Sequence, residues 1–193
     1  VLLIVVGPFV LVRITQRERW RMVLGMVMCI AVVALFAQSL GMASSPPWMV
    51  ASLGASAVLI IALPSSPLAQ PWPVLAGTVL SYLVGVACAA LVPSLSLASG
   101  LAVGLSVAVM LALRCLHPPG GGLALFAVLH PHDSTAAAAL PVAFNVLALV
   151  LAGMAFNHLT GRSYPHAQAR PPSTRKESGA FTSADLDAAL SHY

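Results

Sequence analysis

The sequence predicts an all-α protein, a polytopic bundle of transmembrane helices in which four long spans are interleaved with two short, broken or re-entrant helices. Three observations predict it. Of the 193 residues, 59% are hydrophobic and only 7% charged, where a soluble domain carries about a quarter charged residues. The apolar residues fall in uncharged runs close to the ~20 that a helix needs to cross a hydrocarbon core of ~30 Å. The prolines gather between those runs, most densely in "PSSPLAQPWP" (64–73) and "LHPPGGG" (116–122).

The elements follow in order. "VLLIVVGPFVLV" (1–12) is too short to span and lacks the basic start and cleavage site of a signal peptide, so it reads as an interfacial segment. With the basic run "RITQRERWR" it forms an N-terminal flank over residues 1–21. Met22 to Gly41 is a full span. After "SSPP", the stretch from Trp48 to Leu63 is apolar but short. Val74 to Val92 and Leu95 to Leu113 are two more full spans, the latter rich in small residues that permit close helix packing. "RCLHPPGGGLALFAVLHP" (114–131) breaks the pattern, because proline and glycine oppose a regular helix, and its helical part is expected over Gly122 to Leu129. Ala136 to Phe156 is the last span, so residues 22–161 form the membrane domain. Residues 162–193 read as a flexible Pro-, Ser- and Arg-rich linker with a short helix from Thr182 to Leu190.

The order is long, short, long, twice over. "GASAVLIIALP" (Gly54 to Pro64) and "GGLALFAVLHP" (Gly121 to Pro131) are offset by 67 residues, which suggests an inverted 3+3 repeat of the kind that builds many transporters. Basic residues flank both ends of the membrane domain, so the positive-inside rule puts both termini in the cytoplasm and makes the number of crossings even. Two topologies satisfy it. Either all six elements cross, which places Arg114 at the cytoplasmic end, or four cross with the short pair re-entrant, which places Arg114 outside.

Non-helical backbone at membrane depth must be buried or line a watery cavity. The helix beginning near Gly121 is expected to present unpaired N–H groups and a partial positive charge at its first turn, as is the one beginning around Ser52 to Gly54. Two such N-termini facing each other make an anion site without a formal charge. The residues expected there are Ser52, Gly54, Gly120, Gly121 and Gly122. Arg114 would attract the anion or lie at the headgroups. His117 would donate to the anion, carry a proton, or fix the Pro-Pro turn. Asn145, an amide within a span, would contact substrate or bond between helices. Asn157 in "FNHL" reads as a helix cap. His130, His132 and Asp133 are too few for a metal site, and the residues call for neither metal nor cofactor. The three cysteines have no paired spacing and read as buried small residues.

"SLGASAVLIIALPSSPLAQP" (Ser52 to Pro71) followed by "HPPGGG" (His117 to Gly122) resembles the HPP family of integral membrane proteins, over roughly Arg19 to Tyr164. The resemblance implies a helical membrane domain associated with nitrite transport, a bacterial plasma (inner) membrane location, and a C-terminal CBS-type domain as a partner beyond the 193 residues. "GASA" stands where Gly-Ala-Thr-Ala is common, so Ser56 would take the place of a threonine contact.

The function classes narrow accordingly. No basic patch carries interleaved aromatics, which disfavours nucleic acid. No Asp or Glu lies in a span, which disfavours an enzyme or an ordinary cation pump. The leading expectation is a transporter or channel for a small anion, nitrite first, whose partners are the lipid bilayer, the anion and, through small-residue faces, further copies of itself. The second is a membrane sensor that binds a ligand and signals to a cytosolic domain.

Overall fold

The structure, a computed structural model, describes residues 14–39 and 51–168. Among them the secondary structure is wholly helical: α1 Gln16–Ser39, α2 Ala51–Ala62, α3 Pro71–Leu91, α4 Leu95–Ala112, α5 Pro118–Leu129 and α6 Ala139–Leu159, with single 3-10 turns at Pro67–Ala69 and Ala136–Ala138. Four of these, α1, α3, α4 and α6 with its preceding turn, are long and apolar enough to cross a membrane. At ~1.5 Å per residue the twelve-residue α2 and α5 reach only ~18 Å. The interfacial segment expected at the N-terminus, the "SSPP" break and the C-terminal tail helix lie outside the described residues.

Two boundaries differ from the sequence expectation for physical reasons. Helix α1 starts at Gln16 rather than Met22, so most of the basic run is helix rather than flank. Two of its charges are paired, Glu18 with Arg21 at 2.7 Å and with Arg162 beyond α6 at 2.8 Å. Helix α5 starts at Pro118 rather than Gly122. Proline breaks a helix interior, but at the first turn its missing N–H removes a donor that has no helical partner anyway. Pro118 and Pro119 occupy those positions, and Pro71 opens α3 in the same way.

Hydrogen bonds between helix ends fix the direction of every element. Arg21 near the start of α1 donates to the carbonyl of Ile61 at the end of α2 (2.8 Å) and to Oδ1 of Asn157 near the end of α6 (3.2 Å). The Trp72 indole at the start of α3 donates to the Leu113 carbonyl beyond α4 (3.3 Å). The buried Tyr164 hydroxyl beyond α6 donates to Ala69 before α3 (2.8 Å). The starts of α1, α3 and α5 and the ends of α2, α4 and α6 therefore share one end of the bundle, and successive elements alternate in direction. This is the arrangement required if all six elements run across. The re-entrant alternative would place Arg114 opposite Arg21, and the structure puts both at the same end.

Polarity is arranged inside out. Leu24, Val27, Leu35, Leu91 and Leu159 project outward, while Ser56, Thr78, Ser81, Ser106, His117, Asn145 and Asn157 are buried. Cys29, Cys88 and Cys115 are buried and unpaired. In lipid the apolar exterior costs nothing, and close packing with interhelical hydrogen bonds holds the helices together. The Arg21 cluster is the strongest polar tie, with Asn157 also donating to Ile60 at 2.9 Å. Replacing Arg21 by Leu strands the Ile61 carbonyl and Oδ1 of Asn157 and leaves Glu18 with Arg162 alone, and should cost ~2 kcal/mol or more, read as a lowered midpoint of thermal unfolding in detergent.

Candidate functional site

His117 sits at the N-cap of α5 and is fully buried. Its backbone N–H points at Sδ of Met110 in α4 (3.4 Å). Nδ1 lies 2.9 Å from the Leu68 carbonyl, in the turn between α2 and α3. Nε2 lies 2.8 Å from Oγ of Ser56 in α2. One histidine, through its ring and its backbone N–H, thus joins α2, α4, α5 and the turn before α3. A carbonyl can only accept, so Nδ1 carries a hydrogen. Ser56 Oγ is also 2.8 Å from the Ser52 carbonyl, one helical turn back.

Small residues make room for this ring. A Cβ on Gly77 of α3 would stand 2.6 Å from the Cys115 carbonyl and 2.8 Å from Cβ of His117; one on Gly120 would stand 2.7 Å from the Gly77 carbonyl and 2.8 Å from Ser81 Oγ. Gly77, Ser81 and Gly85 recur every fourth residue on α3 and receive Gly120 and Ala124 of α5, the small-residue packing that lets membrane helices approach backbone to backbone.

Next to this network, α2 and α5 leave a pocket of about 370 Å³, which Ser52 and Pro118 line but Ser56 and His117 do not. Ser52, Pro118, Gly122, Phe126 and His130 are among its lining residues. Most of the wall is apolar. Ser52 is the exception that matters: the residue is 8% exposed, and its Oγ has no hydrogen-bond partner among the described residues. A buried hydroxyl without a partner costs ~1–3 kcal/mol, so it marks a place where a polar ligand is favoured.

Of the residues expected to form the site, Ser52 and Gly122 line this pocket, and Ser56 and His117 lie outside the lining, bonded to each other. Gly120 and Gly121 are buried behind the wall, Gly120 against α3. Gly54 is exposed, with nothing close to it. Asn145 is buried in α6 and does not line the pocket. The expectation of free N–H donors at the start of α5 is not met. Pro118 and Pro119 have none, and the Gly120 N–H is bonded to the His117 carbonyl at 2.9 Å. The donors are side chains instead.

Of the two places expected for Arg114, the structure has the outer one, on the surface where α4 ends and outside the pocket lining. Its φ of 52° is left-handed, and the bonds from Cys115 N to Met110 O (2.8 Å) and Arg114 N to Leu111 O (3.2 Å) form a Schellman cap, whose left-handed position favours glycine. Arg114→Gly should therefore retain the fold and gain ~1 kcal/mol, seen as a higher unfolding midpoint in detergent.

The sequence did not disclose three parts of the site: the Leu68 carbonyl, Met110, and the aromatic wall of Phe126, whose ring stacks on His130 with centroids 4.3 Å apart. Nor did it show that Asn157 is a hub between α1, α2 and α6 rather than a cap. No motif marks these residues, since their partners are distant in sequence.

A model of the family described as "HPP, transmembrane region" matches residues 12–165. A transmembrane protein of Dictyostelium discoideum is 37% identical over 125 residues, covering 61% of this chain and 44% of that protein. A second transmembrane protein of the same organism is 33% identical over 144 residues, covering 70% of this chain and 46% of its own length. The chain thus spans less than half the length of these curated relatives. No solved structure matches it.

Proposed function

The chain belongs to the HPP family of integral membrane proteins, and from that premise we propose that it is the membrane domain of a transporter or channel for a small inorganic anion, nitrite first. One observation carries the reading: Ser52, whose buried hydroxyl has no partner among the described residues, lines a pocket between two half-length helices. An anion in an apolar cavity needs at least one directed donor and a nearby positive group to offset its lost hydration. Ser52 supplies the donor. His117, one turn of α2 away through Ser56, supplies a group that can become positive. So sparse a donor set suits a weakly hydrated monovalent anion and not phosphate or sulfate, which would bring more charge than the wall can pair.

Nitrite itself rests on the family resemblance. The end that gathers Arg17, Arg19, Arg21, Arg114 and Arg162 is, by the positive-inside rule, cytoplasmic, and the bacterial plasma membrane is the location the resemblance implies. The test is nitrite uptake into proteoliposomes holding the purified chain, measured against protein-free vesicles. Uptake above the passive background is expected; its absence for nitrite and related monovalent anions removes the proposal for this chain.

A second reading has its own support. The segment after α6 is bonded to the turn that holds His117: Tyr164 to Ala69 (2.8 Å), the His166 N–H to Gln70 Oε1 (2.8 Å) and Gln168 to Ser65 (3.3 Å). Such ties would let pocket occupancy move whatever follows the membrane domain, as in a sensor. A sensor would bind nitrite with no flux.

A further inference from the structure

We propose that His117 is a proton site, taking up one proton for each anion that enters the pocket at Ser52; this rests on the reading of that pocket as an anion site. The inference comes from counting hydrogens. Ser56 has one hydroxyl hydrogen and two acceptors at 2.8 Å, the Ser52 carbonyl and Nε2 of His117. With the imidazole neutral, Nδ1–H is committed to Leu68, and the Ser56 hydroxyl turns its one hydrogen either to Nε2 or to the Ser52 carbonyl, which also accepts the Ser56 backbone N–H within α2. With the imidazole protonated, Nε2–H donates to Ser56 Oγ, and Ser56 donates to the Ser52 carbonyl. Every group is then paired without a change in heavy-atom positions. The network thus accommodates a second proton on the ring, and it exchanges the two states by turning one hydroxyl.

What the network lacks is a counter-charge. The groups that face the ring are Ser56 from α2, the Leu68 carbonyl from the turn before α3, the glycine backbone at Gly77 of α3, and Met110 from α4. Cys115, buried two residues away, is its nearest titratable neighbour in the chain. Arg114, exposed at the end of α4, adds positive charge if it adds any. Among the described residues no carboxylate pairs with the imidazole, because both ion pairs run through Glu18 at the arginine cluster. A buried imidazolium with no anion is costly, and a buried anion with no cation equally so. Each lowers the cost of the other. The charges balance, since one anion and one proton add to zero, and the proton comes from water and returns to it on release.

The linkage has a definite sign. Where the empty site is neutral and the occupied one protonated, nitrite affinity must fall about tenfold for each unit of pH rise, and binding must take up to one proton per chain. The experiment is titration of the purified full chain in detergent with sodium nitrite at several pH values, alongside His117→Gln. Glutamine can still donate to Leu68 but takes no proton in this range. In wild type we expect the tenfold slope and net proton uptake, read with an indicator dye in weak buffer; in His117→Gln we expect pH-independent binding and no uptake. Flat binding in wild type, or the same slope in the variant, overturns the proposal. If the variant does not fold, flat wild-type binding or the lack of proton uptake still overturns the proposal. Nitrite counterflow in proteoliposomes separates the two claims. A binding slope without counterflow keeps the proton site and removes the transport reading; counterflow with flat binding does the reverse.

Discussion

Gly85→Leu should fail to yield folded protein, whereas Gly100→Leu and Gly104→Leu should extract and unfold much like wild type. A Cβ at Gly85 would run into the carbonyl and Cα of Ala124 in α5. That obstacle is backbone and cannot rotate away. Overpacking of a tight core costs ~1–3 kcal/mol for a methylene or two, and leucine here must push α3 off α5 along the face that also seats Gly77, Ser81 and Gly120. Displacing that face moves His117 as well, so binding and stability should fall together. Gly100 and Gly104 on α4 have nothing within 4 Å, and leucine there adds to an already apolar exterior. The measurement is monodisperse yield and unfolding midpoint in one detergent. Equal behaviour of all three variants would mean that α3 and α5 are not packed backbone to backbone.

The second large effect separates the pocket from the fold. Gly122 lines the pocket, and an added Cβ meets nothing. Gly122→Leu should leave the unfolding midpoint near that of wild type while filling part of the cavity, and it should cut nitrite flux on the order of tenfold or more by denying the anion its place beside Ser52. Gly54→Leu is the matched control, since Gly54 is equally open but outside the lining. It should transport at the wild-type rate. Loss of flux in both variants, or in neither, would move the anion path away from this pocket.

The comparison of these glycines shows how far the sequence could be read. Gly77, Gly85, Gly100 and Gly104 look alike in the chain, each in an apolar run with small neighbours, and only packing tells which pair meets another backbone. The long helices were legible because uncharged length is a property of the segment itself. The proline- and glycine-rich start of α5 was misread because proline damages a helix interior, and its first turn is the exception. His117 stood out by its motif, but its partners did not. Ser56 is 61 residues away and Leu68 is 49. Arg21 reads in the sequence as a topology signal, and its structural role is hidden there because its bond to Asn157 spans 136 residues.

The measurement that bears most directly on the pocket is the reactivity of a single thiol. The three native cysteines are buried and should be inert to a polar reagent, so Gly122→Cys introduces one accessible sulfur at the pocket wall. If an anion reaches Ser52 from water, a small charged methanethiosulfonate should label this cysteine in proteoliposomes, and nitrite should slow the labelling in proportion to its occupancy. No labelling, or labelling at a rate indifferent to nitrite, would contradict an anion path between α2 and α5.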